Sequence, residues 1–137
     1  MIVFDKDAVG HFVCSKIPGM KWVPDQFTAV GRQENGRIVA GALYENYNGV
    51  NVFIHIAGEG KHFLDNESLF VVFDYPFNQL KVKRITGMIS HNNFIARRFA
   101  EKMGFQLEHT MKDAAPDGHI CIYRMFREDC KYLKDFI

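Results

Sequence analysis

The chain has 137 residues, a net charge of +1, 47% hydrophobic residues and 24% charged ones, which is the size and mix of one globular domain spanning 1–137. That balance argues against a nucleic-acid or membrane-surface partner, and no segment holds the ~18 apolar residues of a membrane span. Three cysteines without CxxC spacing and six scattered histidines form neither a disulfide framework nor a metal-ligand pattern, so the thiols read as those of a reduced, cytoplasmic protein and no metal is expected. The opening residues, MIVFDKDAVG, lack both a basic start and a long apolar run, so no leader is expected there.

Residues 2–4 read as a short strand. From Asp5 or Asp7, the apolar positions Ala8, Val9, Phe12, Val13 and Ile17 keep helical spacing until Pro18-Gly19 ends the run. Residues 26–33 and 37–46 flank Asn35-Gly36, a hairpin signal because both residues accept positive φ. A second Asn-Gly, Asn48-Gly49, leads into 50–57 and completes an antiparallel meander of three strands. Asp65 or Asn66 then caps a helix carrying Leu69, Phe70, Phe73, Phe77 and Leu80, in which Pro76 predicts a kink or an early stop. Residues 83–90 alternate as a strand. HNNFIARRFAEKMGF, residues 91–105, reads as about three turns of amphipathic helix closed by Gly104. Two last strands, 105–112 and 119–127, are joined by AAPDG. Thirteen phenylalanines predict a bulky core.

This order, with an Asn-led helix ending in Gly-Phe before a final hairpin, resembles the GNAT superfamily of acetyl-CoA-dependent N-acyltransferases. The branch containing the ribosomal-protein alanine acetyltransferases is the most similar, through Phe77, Leu80, Arg84, Asn93, Ala96, Phe99, Lys102, Gly104 and Phe105. Asn93 stands eleven residues before Gly104, the spacing of that family. The match is specific over 77–127 and rests on element order alone over 5–76. The resemblance implies an α/β fold with a mixed, mostly antiparallel sheet of six to seven strands and about three helices. It also implies a splay between the fourth and fifth strands that admits the pantetheine of acetyl-CoA.

On that resemblance the activity would be acetyl transfer from acetyl-CoA to an amine, on a protein or a small molecule, by direct attack; a homodimer stays open. The alternative is a non-catalytic acyl-CoA-binding or protein-interaction module of the same fold. Asn93 would reach the pantetheine amide, Ala96 would let the arm pass, and Phe99 would pack against the acetyl end. Ile56, Ala57 and Gly58 on the fourth strand would line the cofactor. Asn93 as a plain helix cap is the competing reading.

The chain departs from the family twice. Where a glycine-rich loop usually holds the pyrophosphate, it has Lys61 and Phe63 at the glycine positions, which leaves Gly58, Gly60, Lys61, Asn66 and neighbouring amides to serve. Asp65 and Glu67 work against phosphate there unless they point away. Where many members place an acidic tyrosine, this chain has Ala100, so Tyr123 is the substitute acid to consider, against a structural strand tyrosine. His55, near the end of the fourth strand, is the candidate base, ahead of Glu45 and His91, against a structural histidine. Trp22, Tyr44 and Phe53 are candidates for an acceptor pocket, against core packing. Arg97 and Arg98 are candidates for the nucleotide phosphates, against a solvated helix face.

Overall fold

The three longer helices each start at a side chain suited to that task. The computed structural model describes residues 1–59 and 65–134. Asp5 accepts from the Ala8 amide and opens α1, Lys6–Lys16; Asp65 accepts from the Ser68 amide and opens α2, Asn66–Asp74. Asn93 accepts from the Ala96 amide and opens α3, Phe94–Met103. Gly104 closes α3 at φ 114°, with its amide on the Ala100 and Glu101 carbonyls, in the left-handed geometry that glycine takes without penalty. Pro76 ends regular α2 as expected. The chain passes there into one turn of π-helix, Tyr75–Gln79, with the Leu80 amide reaching the Tyr75 carbonyl. A short fourth helix, α4 (Lys131–Lys134), follows the last strand and escaped the sequence pattern.

Seven strands form one sheet: β1 Ile2–Val3, β2 Thr28–Glu34, β3 Arg37–Glu45, β4 Asn51–Gly58, β5 Arg84–Ser90, β6 Gln106–Ala115 and β7 Gly118–Phe126. Their spatial order is β1-β2-β3-β4-β5-β7-β6. Every pair is antiparallel except β4 and β5, which run parallel and need the α2 crossover to do so. The fold is therefore mixed α/β, mostly antiparallel, as expected. Two boundaries differ from the sequence reading. Residues 24–26 form a short 3-10 turn before β2, and β6 runs on through Ala115, which leaves Pro116-Asp117 as a tight turn instead of a five-residue loop.

α2 and α3 lie on one face over the larger core, built from Tyr44, Val52, Ile54, Val72, Phe73, Phe77, Ile85, Met103, Tyr123 and Met125. Truncating one of its buried phenylalanines to alanine costs about 3–5 kcal/mol. α1 packs on the other face against β2, β3 and β4, where Val9, Val13, Phe27 and Leu43 form a second cluster. Its close approach depends on Gly41, where a Cβ would stand 2.7 Å from Val9 Cγ1 and 2.8 Å from Val13 Cγ2. Beyond β4, burial along β7 alternates. Cys121, Tyr123 and Met125 are buried under the α3 side, while Ile120, Ile122, Arg124 and Phe126 on the α1 side stay half-exposed. The α1 side of β5, β7 and β6 is thus an open sheet face.

Candidate active site

β4 and β5 are paired only at Asn51–Arg84, Val52–Ile85 and Phe53–Thr86. Past Phe53, β4 stays with β3 as far as the Gly58–Ala40 pair; past Thr86, β5 stays with β7 from Gly87–Tyr123 to Ser90–Ile120. A wedge therefore opens between residues 54–58 and 87–90, and each side presents a row of backbone groups without a strand partner. Such groups are costly to bury unpaired, so the wedge is suited to an extended ligand with its own amides. At its apex the Thr86 hydroxyl donates to Asn51 Oδ1 at 2.7 Å. One wall is open at Gly87, where a Cβ would meet no atom within 4 Å.

α3 begins beside the mouth of the wedge. Asn93 does cap it, with Oδ1 3.1 Å from the Ala96 amide. Its Nδ2 has no hydrogen-bond partner among the described residues, so the cap leaves a donor free. Ala96 and Phe99 are half-buried on this helix. Phe94 (63% exposed), Ile95 (86%), Arg98, Phe99 and Lys102 line a shallow groove of about 300 Å³ along it.

Arg97 reaches across to β7 and to the turn before α3. Its Nε donates to the Tyr123 hydroxyl at 3.1 Å and its Nη1 to the His91 carbonyl at 3.1 Å. The Tyr123 hydroxyl in turn donates to Glu101 Oε2 at 2.6 Å. Burial, followed by the hydrogen bond to Glu101, pushes the Tyr123 phenol above its usual range, against the opposing pull of Arg97. Arg97, Tyr123 and Glu101 thus clamp α3 to β7. The expected roles for Arg97 and Tyr123, phosphate contact and acid, would have to share the phenolic proton and the Arg97 Nε and Nη1 donors with this clamp.

His55 sits on the opposite face of the sheet, half-buried, with its Nε2 hydrogen-bonded to the Glu45 carboxylate. The register explains the meeting: Leu43 lies across from His55 and Glu45 across from Phe53, so His55 and Glu45 are diagonal neighbours on one face. A carboxylate only accepts, so in the neutral ring Nε2 carries the hydrogen and Nδ1 keeps a lone pair. Nδ1 has no partner among the described residues. The ring meets Phe27 edge-on at 6.3 Å, and Phe27 stacks on Trp22 at 5.6 Å. Trp22 donates to Asp7 at 3.2 Å. Burial first, and the Glu45 charge second, raise the Cys14 thiol nearby.

Other candidates divide. Ile56 packs toward the α2 core, while Ala57 lies with the α1 cluster. Gly58 ends β4 opposite Ala40. Tyr44 does not share a pocket with Trp22 and Phe53. It is paired with Ile54 on the α2 face, is 2% exposed, and donates to the Val72 carbonyl at 2.5 Å. Gly60 and Lys61 lie outside the described residues. Asn66 is the first residue of α2, and the anion at that helix start is Asp65: hydrogen bonds from the Ser68 backbone first and its side chain second hold the carboxyl below the usual carboxylate range. Asp65 thus lies, half-exposed, on the Ser68 amide, one of the amides expected to serve a phosphate. Among the described residues no His, Cys, Asp or Glu cluster forms a metal site, and no helix is long and apolar enough to cross a membrane.

No protein-family model matches this sequence, and no curated protein matches it. Solved structures do. Over 95% of this chain and 94% of the other, it superposes on the ribosomal-protein-S5-alanine acetyltransferase of Vibrio fischeri with TM-score 0.71 at 13% identity. The fold is that of the GNAT acetyltransferases. A mutant form of the spermidine/spermine N-acetyltransferase of Vibrio cholerae shares the GNAT fold at TM-score 0.74 and 14% identity, over 100% and 99% of the two chains. A GNAT acetyltransferase of Elizabethkingia anophelis with acetyl-CoA bound matches at TM-score 0.71 and 12% identity, over 92% and 97%. The chain spans 63% of the length of another match, a probable acetyltransferase, at TM-score 0.64 and 18% identity over 75% of this chain.

Proposed function

We propose that this protein transfers an acetyl group from acetyl-CoA to an amine by direct attack. The observation that carries the reading is the wedge, which has a free donor on one side of the sheet and a base on the other. Asn93 Nδ2 and the freed rows of residues 54–58 and 87–90 belong to the α3 side and the gap itself. His55, held by Glu45, belongs to the α1 side. Two substrates brought from opposite faces meet at the gap, which is the positioning that direct transfer needs.

In this reading acetyl-CoA supplies an activated acyl carbon, and the chain does the rest. A freed β4 amide donates to the thioester carbonyl as charge develops on its oxygen. His55 Nδ1 takes the proton from the amine, and the Glu45 carboxylate steadies the ring through Nε2. The nitrogen–carbon bond forms, the carbon–sulfur bond breaks, and the thiolate takes its proton from water, since Tyr123 is committed to Glu101. Asn93 Nδ2 holds the pantetheine arm at its amide.

A second reading, an acyl-CoA-binding module without catalysis, is favoured by Ala100, which is buried where an acid is usual, and by Asp65 at the phosphate end. Calorimetry with acetyl-CoA followed by thiol release across an amine panel separates the two. Binding with turnover of at least one amine supports the enzyme. Binding without turnover of any supports the module, and no binding removes both.

A further inference from the structure

Residues 21–26, between α1 and β2, are all exposed except Trp22. The indole turns inward and lies against α1 at Gly10, where a Cβ would stand 2.3 Å from Trp22 Cζ3. Its Nε1 donates to Asp7 Oδ1, in the first turn of the same helix, at 3.2 Å. It stacks on Phe27, with ring centres 5.6 Å apart and planes 24° from parallel. Phe27, 6% exposed, in turn meets the His55 ring at 6.3 Å and 70°. A continuous line of contacts therefore runs from Gly10 through Trp22 and Phe27 to His55.

The His55 ring has a hydrogen-bond anchor at Nε2, on the Glu45 carboxylate. An sp² oxygen accepts over a broad range of directions, so that bond by itself leaves the ring free to tilt about it. Edge-to-face aromatic contacts favour a definite ring angle, and Phe27 supplies this second constraint. Phe27 follows the 3-10 turn Pro24–Gln26 at the entry to β2, and Trp22 lies in the segment leading into that turn. The indole is gripped at two points of its own, the Asp7 carboxylate and the bare backbone of Gly10.

Resting on the acetyl-transfer reading, we infer that Trp22 is a positioning residue: seated on Gly10 and tied to Asp7, it holds Phe27 against the His55 ring and so sets the direction of the Nδ1 lone pair. Proton transfer requires the accepting lone pair to be aimed at the amine hydrogen within hydrogen-bond reach. A tilted ring slows that step while both substrates bind as before, so the effect belongs to kcat and not to KM.

The test uses three variants. Trp22→Leu removes the stack and the N–H, and Trp22→Phe keeps a ring on Phe27. Gly10→Ala pushes the indole from the helix side, and alanine is the better helix former, so α1 itself is not weakened. Proton NMR of the acetyl-CoA-free protein reads the nuclear Overhauser contact between the Phe27 and His55 rings. It is expected in wild type and Trp22→Phe, and lost in Trp22→Leu and Gly10→Ala. With an amine that the wild type acetylates, the latter two are expected to lower kcat at least fivefold, with KM for both substrates within twofold. Trp22→Phe is expected to stay within twofold of wild-type kcat. Cooperative urea transitions identify folded variants, and Gly10→Ala decides by the same readings if Trp22→Leu does not fold. Wild-type kcat or an unchanged Phe27–His55 contact in a folded variant overturns the inference and leaves Trp22 as packing. A raised amine KM at unchanged kcat also overturns it and makes Trp22 a wall of the acceptor site. Failure of the wild type to bind acetyl-CoA, or to release thiol with any amine, overturns the acetyl-transfer reading itself, and this inference with it.

Discussion

Two side chains capable of proton transfer each meet a glutamate in this molecule, on opposite faces of one sheet. Tyr123 donates its only proton to Glu101 and receives Arg97, so its hydroxyl joins two elements and has no proton to spare. His55 gives one ring nitrogen to Glu45 and keeps the other without a partner among the described residues. Composition alone makes the two clusters look equivalent. Hydrogen-bond saturation separates them: the Tyr123 cluster clamps a helix, and the His55 cluster keeps the lone pair that the proposed chemistry needs.

The comparison breaks most sharply at His55. His55→Gln is expected to keep acetyl-CoA affinity and lower turnover at least tenfold, read by calorimetry and thiol release. Wild-type turnover in that variant would make the imidazole structural. Glu45→Gln leaves the ring in place with a weaker anchor, so a fall of roughly threefold to tenfold is expected, smaller than for His55→Gln. Tyr123→Phe should do the reverse of His55→Gln. It should lower stability by about 1–2 kcal/mol in urea melts, since Glu101 and Arg97 lose a shared partner, and leave turnover within about threefold. A collapse of turnover with unchanged stability would return the phenol to the chemistry. Asn93→Ala loses a cap, at about 1 kcal/mol of stability. It also loses a free donor, expected to weaken acetyl-CoA binding by about 0.5–1.5 kcal/mol.

The smallest effect belongs to Asp65. Its carboxyl is held low in the folded protein, so its contribution to stability is present above the unfolded value of about 3.9 and is lost as pH falls through the folded value. Asp65→Asn keeps an equally good cap, so it should flatten the fall in urea midpoint between pH 5 and pH 3. It should also raise acetyl-CoA affinity slightly by removing a negative charge from the start of α2. An unchanged affinity would place the phosphates elsewhere.

Much of this fold is legible in the chain because its signals are local. The caps at Asp5, Asp65 and Asn93, the Asn35-Gly36 turn, the stop at Pro76 and the left-handed Gly104 each depend on a few neighbouring residues. The wedge is different. Where β4 and β5 part is decided by a parallel pairing across some thirty residues, and only the family resemblance pointed to it. The Glu45–His55 contact was hidden by one residue of register. Counting back across Asn48-Gly49 as a two-residue turn sets Tyr44 opposite Phe53, whereas the observed register sets Glu45 there and Leu43 opposite His55, which puts Tyr44 on the far face. The open face was hidden for another reason. Ile120 and Ile122 alternate with Cys121 and Tyr123, so β7 reads as buried on both sides. Only the shortage of helices shows it: with α1 spent on β2, β3 and β4, no helix among the described residues is left for that face.

The wedge also sets a rhythm for amide hydrogen exchange. Successive N–H groups of a strand point to opposite sides, so along residues 54–58 one set is bonded to β3 and the alternate set faces the gap. The same holds along residues 87–90 between β7 and the gap. Deuterium should enter the gap-facing amides through small local fluctuations and the others only when the ladder opens. Protection would then alternate with a two-residue period inside continuous strands, and a ligand lying in the gap would erase the alternation on both walls at once.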